Sequence, residues 1–270
     1  MPNFPLRIMI EVYITNLLPW TRAANLEPGG ESSTLFAVQY GKEVEKLFDA
    51  LPREEVEKAC SYRFVKDSLM FMVGRFLARQ AFSERFSGVA PRAWRFEISG
   101  HGKPYLAEQA AWFNISHSWP YVAVVIDDVL RCGIDIETHN HIISWKEMAD
   151  FTFHVREREA LERAENPQEL FWSLWTLKEA LVKALGYGMR FPFDDFSVDV
   201  HRLTAWRSGR ALPFALWHEP AFLQGASLSV ARAKSDALSA PFRVNEIDLS
   251  ALALQKSLRA GEISSKEMML

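Results

Sequence analysis

Residues 121–137 read YVAVVIDDVLRCGIDIE, and this stretch predicts two strands joined by a short turn. The apolar run 121–126 is typical of a buried strand, and the pair Asp127-Asp128 is typical of a turn. Residues 132–137 are then predicted to form a second strand, so the two strands would make a hairpin.

Helical patterns flank these strands on both sides. Upstream, a helix is predicted to begin at Leu51-Pro52, and a stronger helix follows in which apolar residues recur at i, i+3 and i+4 spacing. The residues of that apolar stripe are Leu69, Met72, Val73, Phe76, Leu77 and Ala81. Downstream, two short helical pieces are predicted over 144–164, and a long amphipathic helix over 170–185 that ends at Gly186.

Further strands are predicted from alternating or apolar runs. They lie at 8–14, 94–98, 196–200, 212–217 and 226–232. The order of elements suggests a duplicated α+β unit, so an α+β fold with two similar subdomains is expected. These subdomains would be residues 1–125 and 126–240, with the active site between them. The remaining residues, 241–270, are expected to be a tail that is helical or loosely attached from Asn245 onward.

The composition is that of an ordinary globular protein. The chain has 270 residues, of which 49% are hydrophobic and 24% charged, with a formal net charge of -3. This near-neutral balance argues against a surface that grips nucleic acid. The two cysteines, Cys60 and Cys132, cannot build a disulfide framework and fit a reducing compartment. We find no signal-peptide pattern and no apolar run of membrane-spanning length, so a cytoplasmic protein is expected.

The motif GIDIE places two carboxylates on one face of the second strand. Side chains alternate between the faces of a strand, so Asp135 and Glu137 point one way while Ile134 and Ile136 point into a core. A divalent cation would relieve the repulsion of the two carboxylates, and Mg²⁺ prefers oxygen ligands. Taken alone, the pair is more typical of an exposed polar edge.

A transition-metal alternative extends the same spacing to His139 and His141. Imidazole ligands would suit zinc. However, these histidines are predicted to lie in the turn after the strand, where solvated side chains are the simpler interpretation.

The long helix carries Trp175, Glu179 and Lys183 on one stripe, because they are spaced i, i+4 and i+8. If Glu179 and Lys183 were an exposed ion pair, it would contribute only about 0.3–0.5 kcal/mol to the stability of the helix. Because Trp175 makes this stripe half apolar, the wall of a cleft is the better interpretation.

The motif NISHS at 114–118 precedes the predicted hairpin. It is not a hydrolase elbow, because no G-x-S-x-G pattern surrounds Ser116. The motif is consistent with a strand-capping turn, and His117 could instead place a positive charge or a donor beside a phosphate.

The combination and order of these motifs resemble the 4′-phosphopantetheinyl transferase superfamily, in its larger, monomeric, Sfp-like type. The motifs that carry the resemblance are GKP at 102–104, FNISHS at 113–118, GIDIE at 133–137 and WTLKEALVKALGYG at 175–188. FHVREREAL at 153–161 adds to it, and the similarity covers most of residues 50–200.

This resemblance implies transfer of phosphopantetheine from coenzyme A to a serine of an apo carrier protein, with release of 3′,5′-ADP. It implies that Mg²⁺, or alternatively Mn²⁺, is held by Asp135, Glu137 and Glu179. Asp135, Glu179 and Lys183 would be the catalytic residues, with Glu179 as the preferred base and Lys183 on the transferred phosphate. The implied coenzyme-binding residues are Lys103, Pro104, Ser116, His117, Lys178 and Lys183.

The chain departs from the family at Met70, where relatives carry an arginine for the 3′-phosphate of the coenzyme. Lys58, Arg63 or Lys66 is expected to substitute, or else recognition of that phosphate is weaker. Residues 51–95 contain nine Lys/Arg against five Asp/Glu, which permits substitution and would also suit an acidic carrier protein. Residues 21–45 are an insertion relative to the family.

Two other functions remain open from the sequence. One is a carrier-binding or coenzyme-binding module that has lost catalysis, and the other is a metal-dependent phosphohydrolase acting on nucleotides. The three expected carboxylates and Lys183 are all present, which favours the active transferase.

Overall fold

A computed structural model describes residues 10–23, 27–30, 47–86, 88–107, 111–139, 144–188, 191–222, 225–235, 242–247, 249 and 265–266. His141, most of the predicted insertion and most of the predicted tail lie outside these ranges. Within them, none of the helices combines the length and the apolarity that crossing a membrane requires.

Helices and strands alternate in blocks along the chain. The helices are α1 (Leu17–Ala23), α2 (Arg53–Cys60), α3 (Val65–Arg85), α4 (Trp145–Thr152), α5 (Val155–Arg163) and α6 (Pro167–Leu185). The strands are β1 (Ile10–Asn16), β2 (Phe96–Ile98), β3 (Pro104–Leu106), β4 (Trp112–Ser118), β5 (Tyr121–Asp127), β6 (Cys132–Thr138), β7 (Phe196–Asp199), β8 (Thr204–Arg207), β9 (Arg210–Ala211), β10 (Phe214–Glu219), β11 (Ala226–Ala233), β12 (Phe242–Glu246) and β13 (Ser265–Lys266). Short 3₁₀ turns cover Pro91–Ala93 and Phe193–Asp195. The predicted α+β class is confirmed, whereas the similarity of two halves stays a prediction.

The first sheet has the strand order β13-β12-β1-β5-β4 and is covered on one face by α3. The apolar stripe predicted for this helix is buried, as its i, i+3, i+4 spacing requires. One cluster of buried residues joins the helix to the sheet. It includes Leu69, Met72, Val73, Phe76 and Leu77 of α3 and Val122, Val124 and Ile126 of β5.

The second sheet has the order β10-β11-β6 and is covered by α6. Helix α6 ends at Gly186, whose left-handed φ of 84° suits glycine and whose amide bonds the Val182 carbonyl oxygen. The other faces of the two sheets pack on each other through a third apolar cluster that includes Val12, Val125 and Ile134. The core is therefore layered as helix, sheet, sheet, helix.

The predicted hairpin of residues 121–137 is wrong. Strand β5 pairs with β1 and β4 in the first sheet, while β6 pairs with β11 in the second. Asp127 accepts hydrogen bonds from the amides of Val129 and Leu130 and from Arg232 of β11, so the connection turns the chain towards the other sheet. A local strand–turn–strand pattern does not specify which strand becomes the hydrogen-bonding partner.

Side chains of β4 bond the edge of β6 that has no strand beside it in the described part of the chain. Asn114, Ser116 and Ser118 accept hydrogen bonds from the amides of Ile134, Ile136 and Thr138 at 3.0, 3.3 and 3.0 Å. Because alternate residues of a strand share a face, the N-x-S-x-S spacing of β4 matches every second amide of β6. This side-chain ladder is the seam between the two sheets.

The structure corrects the expectation of a helical or loosely attached tail from Asn245 onward, whereas the division into subdomains stays a prediction. Residues 242–246 form β12, which lies parallel to β1, and the Asn245 side chain donates to the Val12 carbonyl oxygen. This part of the predicted tail is thus a strand of the first sheet. The expected boundary at 125/126 falls inside β5, and the chain leaves the first sheet only after Asp127.

Candidate active site

Strand β6 presents Gly133, Asp135 and Glu137 towards α6, while Ile134 and Ile136 are buried in the apolar layer between the sheets. The predicted alternation is therefore confirmed. A β-carbon added to Gly133 would lie 2.2 Å from the Ala180 carbonyl oxygen, so strand and helix touch through their backbones. This close approach brings the carboxylates of β6 next to the side chains of α6.

Helix α6 contributes Glu179 and Lys183, which lie one turn apart. The Lys183 Nζ atom lies 2.5 Å from Oδ1 of Asp135 and 3.1 Å from Oγ of Ser116. Asp135 is 2% exposed, and its second oxygen, Oδ2, is buried without a hydrogen-bond partner among the described residues. We refer to Asp135, Glu137, Glu179 and Lys183 as the carboxylate–lysine cluster.

The carboxyl groups of the cluster are buried, and Glu137 and Glu179 lie near the charge of Asp135. Burial raises the pKa of Asp135, and burial together with the Asp135 charge raises the pKa of Glu137 to about 7. Burial and Asp135 also raise the pKa of Glu179. Burial acts to lower the pKa of Lys183, but Asp135 and Glu179 outweigh it and raise that pKa. The site would therefore be stabilised by a further positive charge.

Strand β4 contributes Ser116, His117 and Ser118 from the sequence motif NISHS. Ser116 donates a hydrogen bond to Oδ1 of Asp135 at 2.9 Å, and Ser118 lies 3.0 Å from the Thr138 hydroxyl. His117 alternates with these serines and lies on the other face of β4. Its pKa is lowered by desolvation and by the Lys183 ammonium. The seam thus places the two serine hydroxyls beside the cluster.

The donor set suits a hard divalent cation. Asp135, Glu137 and Glu179 offer carboxylate oxygens, which Mg²⁺ prefers, and the orphaned Oδ2 of Asp135 lacks a partner that a cation would provide. Within the ranges that the structure describes, no three His, Cys, Asp or Glu side chains already converge as a metal site. The Lys183 ammonium instead supplies the counter-charge at Asp135. The residues therefore fit Mg²⁺ by the chemistry of their oxygen donors and by the unpartnered Oδ2 of Asp135.

The zinc alternative finds no support in the described residues. His139 stacks on Trp172, with ring centroids 5.8 Å apart, and its Nε2 atom lies 2.8 Å from the Ser227 hydroxyl. It is thus a packed residue rather than the solvated loop histidine that the sequence suggested.

Lys103 and Pro104 lie at the start of β3, beside the end of α6. The Lys103 ammonium donates to the carbonyl oxygens of Cys132 and Lys183, at 3.0 and 2.6 Å. Burial lowers the pKa of this lysine. Lys103 therefore contacts the backbone of the two elements that carry the cluster, and Pro104 pairs with Ile98 of β2.

The expectation that Lys178 assists at the phosphate is corrected by the structure. Lys178 is fully buried on another side of α6, where it bonds Glu157 at 2.7 Å and the Phe196 carbonyl oxygen at 2.6 Å. Glu157 also accepts hydrogen bonds from the amides of Val198 and His154. The helical period turns Lys178 about 100° from Glu179, so this lysine joins α5, α6 and β7 instead.

Met70, where the chain departs from the family pattern, lies in α3. Met70 is 6% exposed and packs in the core, so its side chain supplies no charge there. Lys58 and Arg63 are exposed and lie over the rings of Tyr62 and Phe64. The substitution of Lys58 or Arg63 for the family's arginine stays a prediction.

Sequence reasoning missed a hydroxyl and imidazole chain beside the cluster. The Ser229 hydroxyl donates to Thr176, and the Thr176 hydroxyl donates to the Trp172 carbonyl oxygen. His218 Nδ1 lies 2.8 Å from the Ser229 oxygen. Because the Ser229 hydroxyl already donates its one hydrogen to Thr176, the His218 Nδ1–H must donate to Ser229. Ser227 and Ser229 alternate along β11, and in the sheet they pair with Glu137 and Asp135. This alternation of serines is the sequence pattern that could have indicated the hydroxyl and imidazole chain.

Comparisons with known proteins identify the family of the chain. The sequence model of the 4′-phosphopantetheinyl transferase superfamily matches residues 131–231, and that of the N-terminal part of 4′-phosphopantetheinyl transferases matches residues 40–128. A 4′-phosphopantetheinyl transferase of Bacillus subtilis is 30% identical over 159 residues, which are 58% of this chain and 69% of the relative. The chain belongs to the 4′-phosphopantetheinyl transferase superfamily.

Two further relatives carry the same family name. The 4′-phosphopantetheinyl transferase ffp of Bacillus subtilis is 28% identical over 205 residues, covering 72% of this chain and 88% of the relative. HetI of Nostoc sp. is 30% identical over 153 residues, covering 54% and 64%. The superfamily match at 131–231 contains β6 and α6, the two elements that carry the carboxylate–lysine cluster.

Proposed function

We propose that this protein transfers the 4′-phosphopantetheine group of coenzyme A to a serine of an apo carrier protein and releases 3′,5′-ADP. The observation that carries the proposal is the Lys183–Asp135 contact at the seam, with the buried Glu137 and Glu179 near enough to feel the Asp135 charge, in a chain from this superfamily. The carrier is expected to be an acyl, polyketide or peptidyl carrier domain, and the enzyme is expected to act as a cytoplasmic monomer of the holo-[acyl-carrier-protein] synthase type.

Asp135, Glu137 and Glu179 would hold Mg²⁺, or alternatively Mn²⁺. Such an ion neutralises pyrophosphate charge and so stabilises the leaving group when it is bound. The raised pKa values of all three carboxyl groups support this assignment, because they show that the carboxylates are buried away from water, where a cation would stabilise their charged form.

The remaining groups act on the phosphates. Lys183, held at Asp135 and Ser116, would place its ammonium on the transferred phosphate, whose negative charge spreads over its oxygens during transfer. Ser116 and His117 would contact the pyrophosphate and the 3′-phosphate from β4. Positioning of this kind is the main source of catalysis in phosphoryl transfer.

Glu179 is our candidate for the base. Its carboxylate would take the proton of the carrier serine while the serine oxygen forms a bond to the β-phosphorus atom. The bond between that phosphorus and the bridging oxygen breaks, and the oxygen leaves with 3′,5′-ADP. A carboxyl group whose pKa is raised by burial is a better proton acceptor than an ordinary surface glutamate.

Intact-mass spectrometry of the carrier tests the proposal. The protein is incubated with coenzyme A, Mg²⁺ and each of several apo carrier proteins, and a mass gain of one phosphopantetheine per carrier is expected. Carriers whose serine is replaced by alanine are the matched control and should gain nothing. If no carrier gains mass while coenzyme A still binds, a non-catalytic binding module replaces the proposal. Breakdown of coenzyme A without modification of a carrier would indicate a phosphohydrolase.

A further inference from the structure

We propose that Lys103 is a positioning residue, which clamps the end of α6 to the start of β6 and thereby sets the Lys183–Asp135 contact. The inference rests on the proposed transferase function. It assigns Lys103 a role through the protein backbone rather than a direct contact with the coenzyme.

The contacts of Lys103 are with two backbone carbonyls. Its Nζ atom lies 2.6 Å from the carbonyl oxygen of Lys183 and 3.0 Å from that of Cys132. An ammonium group has three N–H donors, so two of the three are used by these carbonyls. A lysine engaged in this way has little capacity left for a phosphate.

The Lys183 carbonyl lies in the last turn of α6, where carbonyls have no intrahelical partner. The Gly186 amide donates to the Val182 carbonyl oxygen. The Lys103 ammonium donates to the next carbonyl oxygen along the chain, that of Lys183. A cation at the negative end of a helix is stabilising. Lys103 therefore caps this helix from the neighbouring β3 segment.

The second carbonyl belongs to the first residue of β6. Cys132 lies three residues before Asp135, and Lys183 carries the ammonium that bonds Asp135 at 2.5 Å. One ammonium group thus links the backbone of the residue bearing the catalytic lysine to the backbone of the strand bearing its carboxylate partner. Loss of this link would let α6 and β6 shift along each other.

A further contact supports the same placement. A β-carbon on Gly188, just beyond α6, would lie 3.2 Å from the His101 carbonyl oxygen, and the rings of His101 and Tyr187 are 6.1 Å apart. The turn before β3 therefore packs against the residues that follow α6, and Lys103 fastens this contact.

Separate measurements of kcat and KM test this role. Lys103→Met keeps the length of the side chain but removes the donors, and Lys146→Met on the exposed face of α4 is the matched control. We expect kcat to fall about 10- to 100-fold, as with other supporting residues of active sites, while KM for coenzyme A changes less than about twofold. A tenfold or larger rise in KM for coenzyme A would make Lys103 a coenzyme ligand and overturn the proposal.

Hydrogen exchange gives a readout that does not depend on activity. In Lys103→Met, amides of residues 181–188 should exchange faster than in the wild type, whereas Lys146→Met should match the wild type. Unchanged exchange in this segment would overturn the clamp even if kcat falls. If the wild-type protein modifies no carrier, the proposed function fails, and the exchange measurement still decides the clamp. Lys103→Gln, which retains an amide donor, replaces Lys103→Met if that variant does not fold.

Discussion

Gly133 of β6 and Ala180 of α6 are in backbone contact, because a β-carbon on Gly133 would lie 2.2 Å from the Ala180 carbonyl oxygen and 2.4 Å from the Ala184 amide nitrogen. Neither atom belongs to a side chain that could rotate away. The approach of this strand to this helix is what brings Asp135 within reach of Lys183. The glycine of GIDIE is therefore a packing requirement of the candidate active site.

Gly133→Ala should destabilise the protein and reduce transfer together. Overpacking typically costs about 1–3 kcal/mol, and a clash with backbone on both sides should reach or exceed the upper end of that range. Urea unfolding followed by fluorescence measures the loss. Gly29→Ala, where an added β-carbon meets nothing within 4 Å, is the control and should be close to wild type. Wild-type stability of Gly133→Ala would show that strand and helix are not held so closely.

Asn114→Ala should weaken the seam between the sheets. The substitution leaves the buried amide of Ile134 without its acceptor, which costs about 1–3 kcal/mol. Chemical denaturation gives the free energy of unfolding. Asn166→Ala, at the exposed N-cap position of α6 where the side chain makes no capping hydrogen bond, should change it less than Asn114→Ala does. Equal effects of the two substitutions would mean that the side-chain ladder adds no stability.

Glu179→Gln and Asp135→Asn should each abolish most transfer without unfolding the chain. Loss of a general base typically costs about 10²- to 10⁴-fold, and loss of the Asp135 charge removes the partner of Lys183. Initial rates of carrier modification measure the effect, with circular dichroism to verify folding. Glu162→Gln on the exposed face of α5 should retain wild-type rates. Full activity in either site variant would remove that residue from the catalytic set.

Lys178→Met should be strongly destabilising although Lys178 adjoins Glu179 in sequence. It leaves the Glu157 carboxylate buried without its cation, and removal of one partner of a buried ion pair costs about 3–5 kcal/mol. The double variant Lys178→Met/Glu157→Gln should be less destabilised than the sum of the single variants, because it removes the uncompensated charge. Thermal unfolding of all four proteins measures this coupling. Additive losses would show that the two side chains do not interact.

His218 should contribute a loss of stability as the pH falls from 7 to 4, opposite in sign to the contribution of the buried carboxyl groups whose pKa values are raised. Burial lowers the pKa of His218 to about 4, so in this window the unfolded chain binds a proton that the folded chain does not. The stability that comes from neutral His218 is thus present above about pH 6.5 and is lost as the pH falls towards 4.

His218→Asn tests this contribution, because asparagine can still donate to Ser229 but cannot titrate. Its free energy of unfolding should decline less than that of the wild type from pH 7 to pH 4.5. His201→Asn, at an exposed position, should follow the wild type. An identical decline in His218→Asn would exclude His218 as a source of the pH dependence.

Much of the local structure follows from sequence periodicity. The apolar stripe 69–81 predicts α3, and the amphipathic run 170–185 predicts α6, because burial of one helical face requires residues spaced by 3.6. The opposite orientations of Asp135 and Ile136 follow in the same way from the two-residue period of a strand. These features depend only on neighbours along the chain.

Contacts between distant segments could not be predicted in this way. The pairing of β6 with β11 rather than β5 and the engagement of Lys103 by two carbonyls each depend on what lies across a gap in space. Hydrogen-bond partners of this kind leave no periodic pattern in the sequence.

The sequence by itself determined the family, the α+β class and the faces on which Asp135, Glu137, Glu179 and Lys183 lie, because motif spacing and secondary-structure periods are local properties. Only the tertiary structure decided that these faces meet at the seam of two sheets, with Lys183 on Asp135 and Lys178 elsewhere. The physical reason is that the meeting depends on a glycine that admits close backbone contact and on side chains of β4 that satisfy the open edge of β6.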